Sequence, residues 1–588
     1  MEQRNLLIAI VLSVGILIAF QFAFERMRPA QPPGPPTAPA VTAPATPSTP
    51  PATRSAPPSA TGGAAPPQTA ETREAAIAEQ PRVKIDTPRL HGSIGLDGGR
   101  LDDLTLATYH ETVDPKSPEV VLLSPSGTKE PYFADFGWVA ADPGIKVPGP
   151  ETRWTASGGP LTPTNPVTLT WDNGEGLIFT RTIHVDQNYM FRVQDEVRNT
   201  RDTPVKLIHY GRINRTGIPV APTFTILHEG LAGYLAGHVF GGGTGVLWLQ
   251  DADRYTSLNP GEPREYSSVG GWLGFTDKYW LTALVPPQNE PIKARFIRTG
   301  GAADNYQADF AQPTVVIPPN GTATASLQFF AGAKEVNLLD AYADSGIPRF
   351  DRAIDWGLYY FLTKPIFLVL QFFHGLLGNF GLAILLLTLC IKLLFFPLAN
   401  KSYNAMSKMK LLQPEIQKLR ERFPDDKARQ QQEMMALYKR VGANPLAGCL
   451  PIVIQIPVFF SLYKVLFVTI EMRHAPFFGW IHDLSAPDPT SFGNLFGLLP
   501  FSPATIPVVG SMLMIGAWPL IMGLTMFLQQ KLNPQPVDPV QARMFMFLPI
   551  IFTYMLAAFP AGLVIYWAWN NLLSIGQQWT IMHRAGAA

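Results

Sequence analysis

The chain has 588 residues, of which 46% are hydrophobic and only 15% are charged. This length exceeds that of one ordinary domain, and the low charge argues against a wholly soluble protein, so membrane spans are expected. The formal net charge of +1 says little about partners until each segment is counted separately. Cys390 and Cys449 both fall in apolar segments and exclude a disulfide framework.

The N-terminal segment has the pattern of an uncleaved membrane anchor. Residues 6–24 are apolar apart from Ser13 and Gln21, and no small-residue cleavage pattern follows them. We therefore predict a transmembrane anchor over residues 1–28 with its N-terminus in the cytoplasm. Residues 29–80 are rich in Pro, Ala, Thr and Ser, which predicts a disordered linker.

Residues 81–346 are predicted to form an exported all-β domain. Short runs of alternating apolar and polar residues, such as residues 177–185, are separated by Gly, Pro, Asn and Asp. The histidines of this region lack metal-ligand spacing, and its triple-glycine segment at 241–243 lacks the Lys-Ser/Thr of a phosphate loop. The sequence therefore predicts a binding or packing domain, with no enzymatic activity, cofactor or metal.

The remainder of the chain is predicted to be helical. Residues 347–377 mix charged and aromatic residues, which is typical of an amphipathic helix lying in the membrane interface. Residues 378–588 form the predicted membrane core, with apolar segments long enough to span a bilayer. These segments are 378–398, 450–470, 508–528, 544–559 and 562–580.

The orientation follows from the basic loop over residues 399–443. Its Lys and Arg outnumber its Asp and Glu, which places the loop and both chain termini in the cytoplasm and the β domain outside. An apolar stripe at helical spacing predicts a helical hairpin here, and the stripe is either the seam of that hairpin or a Met-rich groove for apolar segments. The basic residues predicted to make contacts from this hairpin are Lys408, Lys410, Lys418, Arg420 and Arg422.

Lys392 is a charged residue within the first apolar segment of the core. The apolar segments of the core contain no Asp or Glu, so Lys392 either faces a hydrated groove or extends to the membrane surface. Lys464, near the outer end of its segment, is expected to extend to the surface. Uncharged groups available to line a groove with Lys392 are Thr388, Gln455, Thr553, Tyr566, Trp567 and Asn570.

Several ordered motifs resemble those of the YidC family of bacterial membrane protein insertases. They are NPLAGCLPIVIQIPVFFSLY at 444–463, MMALYK at 434–439, RHAPF at 473–477, WIHDLS at 480–485 and FPAGLVIY at 559–566. The resemblance implies a polytopic inner-membrane protein with an anchor, a five-helix core, a periplasmic β-super-sandwich and a cytoplasmic hairpin. It also implies a positively charged groove that acts without cofactor or metal. Lys392 stands where the family most often has arginine.

The partners implied by this resemblance are nascent membrane proteins, the Sec translocon, the ribosome and the phospholipid bilayer. Ribosome contact is expected through the hairpin, and no sequence-specific nucleic acid is expected. Besides the insertase that the resemblance implies, the residues themselves allow two other functions. One is an anion transporter or channel that uses Lys392, and the other is an envelope scaffold that uses the β domain as its binding module.

Overall fold

The computed structural model describes residues 72–218, 227–241, 254–300, 303–357, 359–423, 426–441, 450–503, 506, 510–533 and 539–584. The predicted anchor and the first part of the predicted linker lie outside these residues. At the end of the linker region the structure has a short helix, α1 (Arg73–Ala78), where Thr72 accepts a hydrogen bond from the amide of Ala75 at 3.3 Å. An N-cap of this kind satisfies an amide that the first helical turn leaves unpaired.

Two antiparallel sheets form the β domain in the described part of the chain. Their strands are β1 (Arg82–Asp86), β2 (Leu90–Gly95), β3 (Arg100–His110), β4 (Glu119–Leu123), β5 (Tyr132–Ala140), β6 (Thr155–Ser157), β7 (Val167–Asp172), β8 (Leu177–Val185), β9 (Met190–Asn199), β10 (Val205–Thr216), β11 (Gly230–Leu235), β12 (His238–Phe240), β13 (Arg264–Val269), β14 (Trp272–Thr276), β15 (Trp280–Val285), β16 (Pro291–Thr299), β17 (Asn305–Ala311), β18 (Val315–Ile317) and β19 (Thr322–Ala333).

One sheet has ten strands in the order β1-β2-β3-β5-β10-β17-β16-β13, with β4 beside β3 and β18 beside β10. The other sheet has nine strands in the order β12-β11-β14-β15-β19-β9-β8-β7-β6.

Side-chain alternation explains how these strands build a sandwich. Along β8 every second residue is buried, and the strand pairs with β9 from Leu177 opposite Asn199 to Val185 opposite Phe191. Because successive side chains of a strand point to opposite faces, this pattern places one face of the sheet in the core. Phe179 and Phe329 are buried there. The all-β prediction for this region is confirmed.

A charged network lies inside this sandwich. The Arg181 guanidinium donates to Asp195 at 2.7 Å and to the carbonyl of Gly99 at 3.0 Å, and His209 contacts the other oxygen of Asp195 at 3.0 Å. All three side chains are buried. A buried charge is tolerated only when it is paired and hydrogen-bonded, so this network fixes how β8, β9 and β10 pack.

The C-terminal region is helical in the part that the structure describes. Its helices are α2 (Val336–Asp344), α3 (Tyr360–Leu377), α4 (Phe380–Leu394), α5 (Phe396–Leu411), α6 (Gln413–Arg422), α7 (Lys427–Val441), α8 (Leu450–Val468), α9 (Gly510–Leu513), α10 (Ala517–Leu532), α11 (Pro539–Leu556) and α12 (Ala561–Arg584). The expected apolar segment 508–528 is divided between α9 and α10, and the segment 378–398 ends its first helix at Leu394.

Length and apolar composition identify few span-length helices among the described residues. Helix α3 is long and apolar enough to cross a membrane, and a second candidate arises if α4 and α5, bent by 68°, count as one span. The segment 347–377 was expected to be one amphipathic helix. Its charged N-terminal part instead forms a 3-10 helix (Phe350–Ala353) and a loop, while α3 keeps Lys364, which pairs with Asp340 at 2.8 Å.

Helices α6 and α7 pack against each other through a small apolar cluster. Leu412, Ile416 and Leu437 are buried in it, and Met434 packs beside them. This contact uses the apolar stripe of the sequence as the seam between the two helices rather than as an open groove.

The β domain and α2 contact the residues that follow the C-terminal end of α8 through polar groups. Glu471 accepts a hydrogen bond from the amide of Val336 at 2.9 Å, and Arg473 donates to the carbonyl of His110 at 2.6 Å. Burial is the main reason that the pKa of Glu471 rises from 4.5 to about 7, and the nearby Glu335 carboxylate adds to the effect.

Replacing Arg181 with Met should destabilise the β domain by about 3 to 5 kcal/mol, because Asp195 loses its buried partner. The free energy of unfolding is measured by denaturation of the full-length protein in detergent. Arg192→Met on the neighbouring strand β9 is the control, since Arg192 is exposed. Equal stabilities of the two variants would contradict a structural role for the network.

The raised pKa of Glu471 predicts a pH-dependent stability. In the folded protein the Glu471 carboxyl has a pKa of about 7, whereas in the unfolded chain its pKa is 4.5. The folded state therefore keeps its proton at pH values where the unfolded chain has lost it, and the free energy of unfolding falls as the pH rises from about 4.5 to about 7. The loss is on the order of 3 kcal/mol. Glu471→Gln should remove this pH-dependent loss because glutamine does not titrate. The difference in free energy of unfolding between the variant and the unmodified protein should therefore grow with pH in denaturation experiments. The exposed Glu265→Gln is the control, and a pH-independent difference for Glu471→Gln would refute the assignment.

Candidate functional site

Lys392 lies in the last turn of α4 and reaches across to α12. Its Nζ donates to Oγ of Ser574 at 2.7 Å, and the Ser574 hydroxyl donates to the backbone carbonyl of Asn570 at 2.8 Å. The hydroxyl thus accepts from the ammonium and donates to the backbone of its own helix. The side chain of Lys392 is held within the helical bundle.

A cavity of about 530 Å³ opens beside this lysine. It lies between α4, α5 and α12, and the bend between α4 and α5 directs α5 along its wall. Its lining residues are Leu389, Lys392, Leu393, Phe396, Asn400, Asn404, Leu573, Gly576, Gln577, Thr580, Ile581 and Arg584.

The cavity combines an apolar wall with uncharged amides and two cations. Asn400, Asn404 and Gln577 supply amide groups, and the exposed Arg584 lies at the last residue of α12. No carboxylate pairs with Lys392 within the part of the chain that the structure describes. Such a site is suited to a ligand that brings a carboxylate or another anionic group.

Two predicted groove residues satisfy their hydroxyl groups within their own helices. Thr388 donates to the carbonyl of Ile384, and Thr553 donates to the carbonyl of Pro549, each at 2.7 Å. Both are buried, and neither lines the cavity beside Lys392. This bond to the carbonyl four residues earlier is the usual arrangement for a hydroxyl inside a helix.

The other predicted groove residues lie along the interface of α8 and α12. Gln455 donates its side-chain amide to the hydroxyl of Tyr566, and Trp567 makes an edge contact with Phe459 at a ring distance of 4.7 Å. Asn570 is buried and touches the Lys392 site through the Ser574 bond. The structure therefore links Lys392 through Ser574 to the backbone of Asn570, while Gln455 contacts Tyr566 and Trp567 contacts Phe459 away from this bond.

Sequence reasoning named Asn570 but missed Ser574, Gln577 and Ile581 of α12, which lie near Lys392. These four residues recur at helical spacing, and the first three are polar. This polar stripe was the available signal, because residues three or four apart share one helical face. Asn400 and Asn404 repeat at the same spacing on α5.

The basic residues predicted for the hairpin lie on α5 and α6. Lys408, Lys418 and Arg422 are exposed, whereas Lys410 and Arg420 are partly buried. They form an accessible basic surface, consistent with contacts to an acidic partner.

The prediction that Lys464 extends to the membrane surface is wrong. Its Nζ pairs with Asp355 at 2.5 Å, and its side chain is buried. Asp355 lies in the loop before α3, outside the apolar segments, which is why a search of those segments for carboxylates missed it. Gly357 has φ +74°, and a Cβ there would lie 3.0 Å from Cε of Lys464.

Comparison with known proteins places both halves of the chain in described families. The family described as the YidC periplasmic domain matches residues 82–369, and the 60Kd inner membrane protein family matches residues 372–587. "Membrane protein insertase YidC" of Bradyrhizobium diazoefficiens is 52% identical, covering 100% of this chain and 97% of the relative. The protein of that name from Beijerinckia indica is 51% identical, covering 100% and 96%. An active YidC insertase crystal structure is 18% identical with a TM-score of 0.35, covering 85% of this chain and 95% of that one.

Removing the Asp355 carboxylate should strand the buried Lys464 charge. We expect Asp355→Asn to lower the free energy of unfolding by about 3 to 5 kcal/mol. The double variant Asp355→Leu/Lys464→Met should recover most of the loss, because it removes both charges. Denaturation in detergent measures this, with Asp86→Asn, from an exposed pair with Lys84, as the control expected to leave stability almost unchanged. A loss that the double variant fails to reverse would contradict the pairing.

Proposed function

Because the chain belongs to the YidC family of membrane proteins, we propose that it is a membrane protein insertase that also helps nascent inner-membrane proteins to fold. Curated relatives that match the whole chain carry the insertase name, which supports this activity.

The ammonium of Lys392, which has no carboxylate partner among the described residues, is the observation that carries the mechanism. It faces a cavity whose other polar groups are amides and hydroxyls, apart from the Arg584 guanidinium. An incoming carboxylate at about 4 Å would gain up to about 4 kcal/mol at an effective dielectric near 20. This gain is comparable with the cost of about 2.5 to 3.5 kcal/mol for placing an acidic residue in a membrane. Lys392 therefore offsets the cost of bringing an acidic segment into the cavity.

Ser574 is the positioning residue of this site. Its hydroxyl holds the ammonium by a 2.7 Å hydrogen bond without neutralising the charge. A carboxylate at the same position would pair with Lys392 and cancel its attraction for a substrate. Holding a cation through a neutral acceptor keeps its full charge available.

The apolar part of the substrate is proposed to move into lipid beside the cavity. Helix α11 exposes Ile550, Ile551 and Met555, which offers an apolar surface along which a substrate helix can slide. Burial of the substrate's own apolar side chains in the bilayer then drives the reaction. The proposed mechanism uses no nucleotide, metal or cofactor.

The proposed topology places the protein in the inner membrane with several spans. The N-terminal anchor crosses the membrane, the N-terminus and the C-terminus lie on the cytoplasmic side, and the β domain lies in the periplasm. Helices α6 and α7 form the cytoplasmic hairpin, and its exposed Lys418 and Arg422 are proposed to contact the ribosome. The protein acts alone or beside the Sec translocon.

Charge reversal at Lys392 tests this function. Purified protein in liposomes is supplied with a small single-span substrate whose N-terminal segment is acidic or neutral, and protease protection measures insertion. Lys392→Glu should lower insertion of the acidic substrate about tenfold or more, since about 1.4 kcal/mol corresponds to a factor of ten. Lys392→Arg should insert both substrates, because it keeps the charge.

Lys531→Glu is the matched control, because Lys531 is exposed and lies outside the cavity. Equal insertion of the acidic substrate by Lys392→Glu, Lys392→Arg and the unmodified protein would show that Lys392 extends to the membrane surface and does not attract the substrate. Flux of small anions with no insertion of either substrate would show that the protein is a transporter instead.

A further inference from the structure

The chain between α8 and α10 contains a long stretch without charge. Residues 489–530 include no Asp, Glu, Lys or Arg. The stretch begins after Asp488 with a segment that is not a regular helix, and residues 489–503 are here called the outer loop. A loop in water normally carries charged or polar side chains on its surface.

The outer loop exposes its large apolar side chains. Leu498 is 82% exposed, Leu495 53% and Phe496 48%. Phe492, Leu499 and Phe501 are also among the exposed apolar residues. Contiguous exposed apolar side chains of this kind mark an interaction site with a protein or a membrane.

Polar backbone groups of the loop are satisfied from within. The Phe496 amide donates to the carbonyl of Ser491 at 2.7 Å, and the Leu499 amide donates to the carbonyl of Asn494 at 3.1 Å. The Asn494 side chain donates to the carbonyl of Phe501 at 3.2 Å and accepts from the amide of Gly497 at 3.0 Å. Water would satisfy these groups without such bonds, whereas in lipid each unsatisfied group costs several kcal/mol.

The backbone bears strain to reach this arrangement. Leu495 has φ +52° and Phe496 has φ +60°, so both consecutive residues adopt the left-handed conformation. This conformation costs an L-amino acid roughly 1 to 2 kcal/mol per residue. Burial of the exposed Leu495 and Phe496 side chains in an apolar medium is a gain that offsets such a cost.

Asp488 fixes the base of the loop to α10. Its carboxylate accepts from the Trp518 amide at 2.9 Å, from Trp480 Nε1 at 3.1 Å and from the Thr490 hydroxyl at 2.7 Å. From this base the apolar surface continues along α10, where Leu524 is 59% exposed. Tryptophan is also the residue favoured at the boundary of a membrane with water.

We propose that the outer loop inserts into the bilayer, with Leu495, Phe496 and Leu498 in the acyl region of the outer leaflet beside α10. The absence of charge, the internal hydrogen bonds and the continuity with an apolar helix all match a lipid environment. The inference takes only the outer location from the proposed topology, and lipid contact of the loop does not require insertase activity.

Site-directed spin labelling tests this placement. Leu498→Cys is labelled in the full-length protein, with Cys390 and Cys449 replaced by Ser, in liposomes of phosphatidylethanolamine and phosphatidylglycerol. Accessibility to oxygen, which concentrates in lipid, is compared with accessibility to a water-soluble nickel complex. Leu524→Cys on α10 is the lipid reference, and Val269→Cys, at a position 67% exposed in the β domain, is the water reference.

The label at Leu498 should resemble the label at Leu524, with high oxygen and low nickel accessibility. Nickel accessibility equal to that at Val269 would place the loop in water and overturn the proposal. Low accessibility to both reagents would show that protein covers the loop, which also overturns it. Insertion of the single-span substrate is measured on the same labelled protein, so a failure of the insertase proposal is recognised separately.

Discussion

The hydrogen bond between Lys392 and Ser574 is the constraint on which the candidate site depends. A cation within an apolar helix carries a cost, and a carboxylate partner would remove both the cost and the charge. The hydroxyl of Ser574 stabilises the ammonium while leaving it positive. The bend of 68° between α4 and α5 then leaves room beside the ammonium, and Asn400 and Asn404 line that room with uncharged groups.

Two other buried charges of the protein have a charged partner. Arg181 pairs with Asp195 inside the β-sandwich, and Lys464 of α8 pairs with Asp355 in the loop before α3. These pairs fix the packing of the elements that carry them. Lys334 is also buried and, like Lys392, donates to neutral acceptors, the Thr276 hydroxyl and the Asp277 carbonyl. Lys392 differs from Lys334 because it lines a cavity that a substrate can enter.

The sequence predicted the large features because each rests on a local pattern. Period-two alternation in residues 177–185 predicted a half-buried strand, and β8 has that burial pattern. For Lys392 the residues alone left a hydrated groove and the membrane surface both open, and the groove stays a prediction that the family resemblance implied. The apolar stripe of the basic loop left two interpretations open, and the packing of Leu412 against Leu437 selects the seam.

Features that depend on contacts distant in sequence were not predictable in the same way. Ser574 and Asp355 each lie more than a hundred residues from the lysine that they contact. The position of Asp355 outside the apolar segments made Lys464 look unpaired. Thr388 and Thr553 bond to carbonyls of their own helices outside the cavity beside Lys392, and their place in a groove stays a prediction. Composition identifies polar residues in a membrane segment, but only the packing of helices decides which of them share a cavity.

Photo-crosslinking of a stalled nascent chain tests the central claim most directly, namely that the cavity beside Lys392 receives the acidic segment of a substrate. A photoreactive residue is placed in that segment, and the crosslinked positions are mapped by mass spectrometry. The account predicts crosslinks to residues 573–580 of α12 and 400–404 of α5, and their loss in Lys392→Glu. Crosslinks confined to the β domain, or an unchanged pattern in Lys392→Glu, would contradict it.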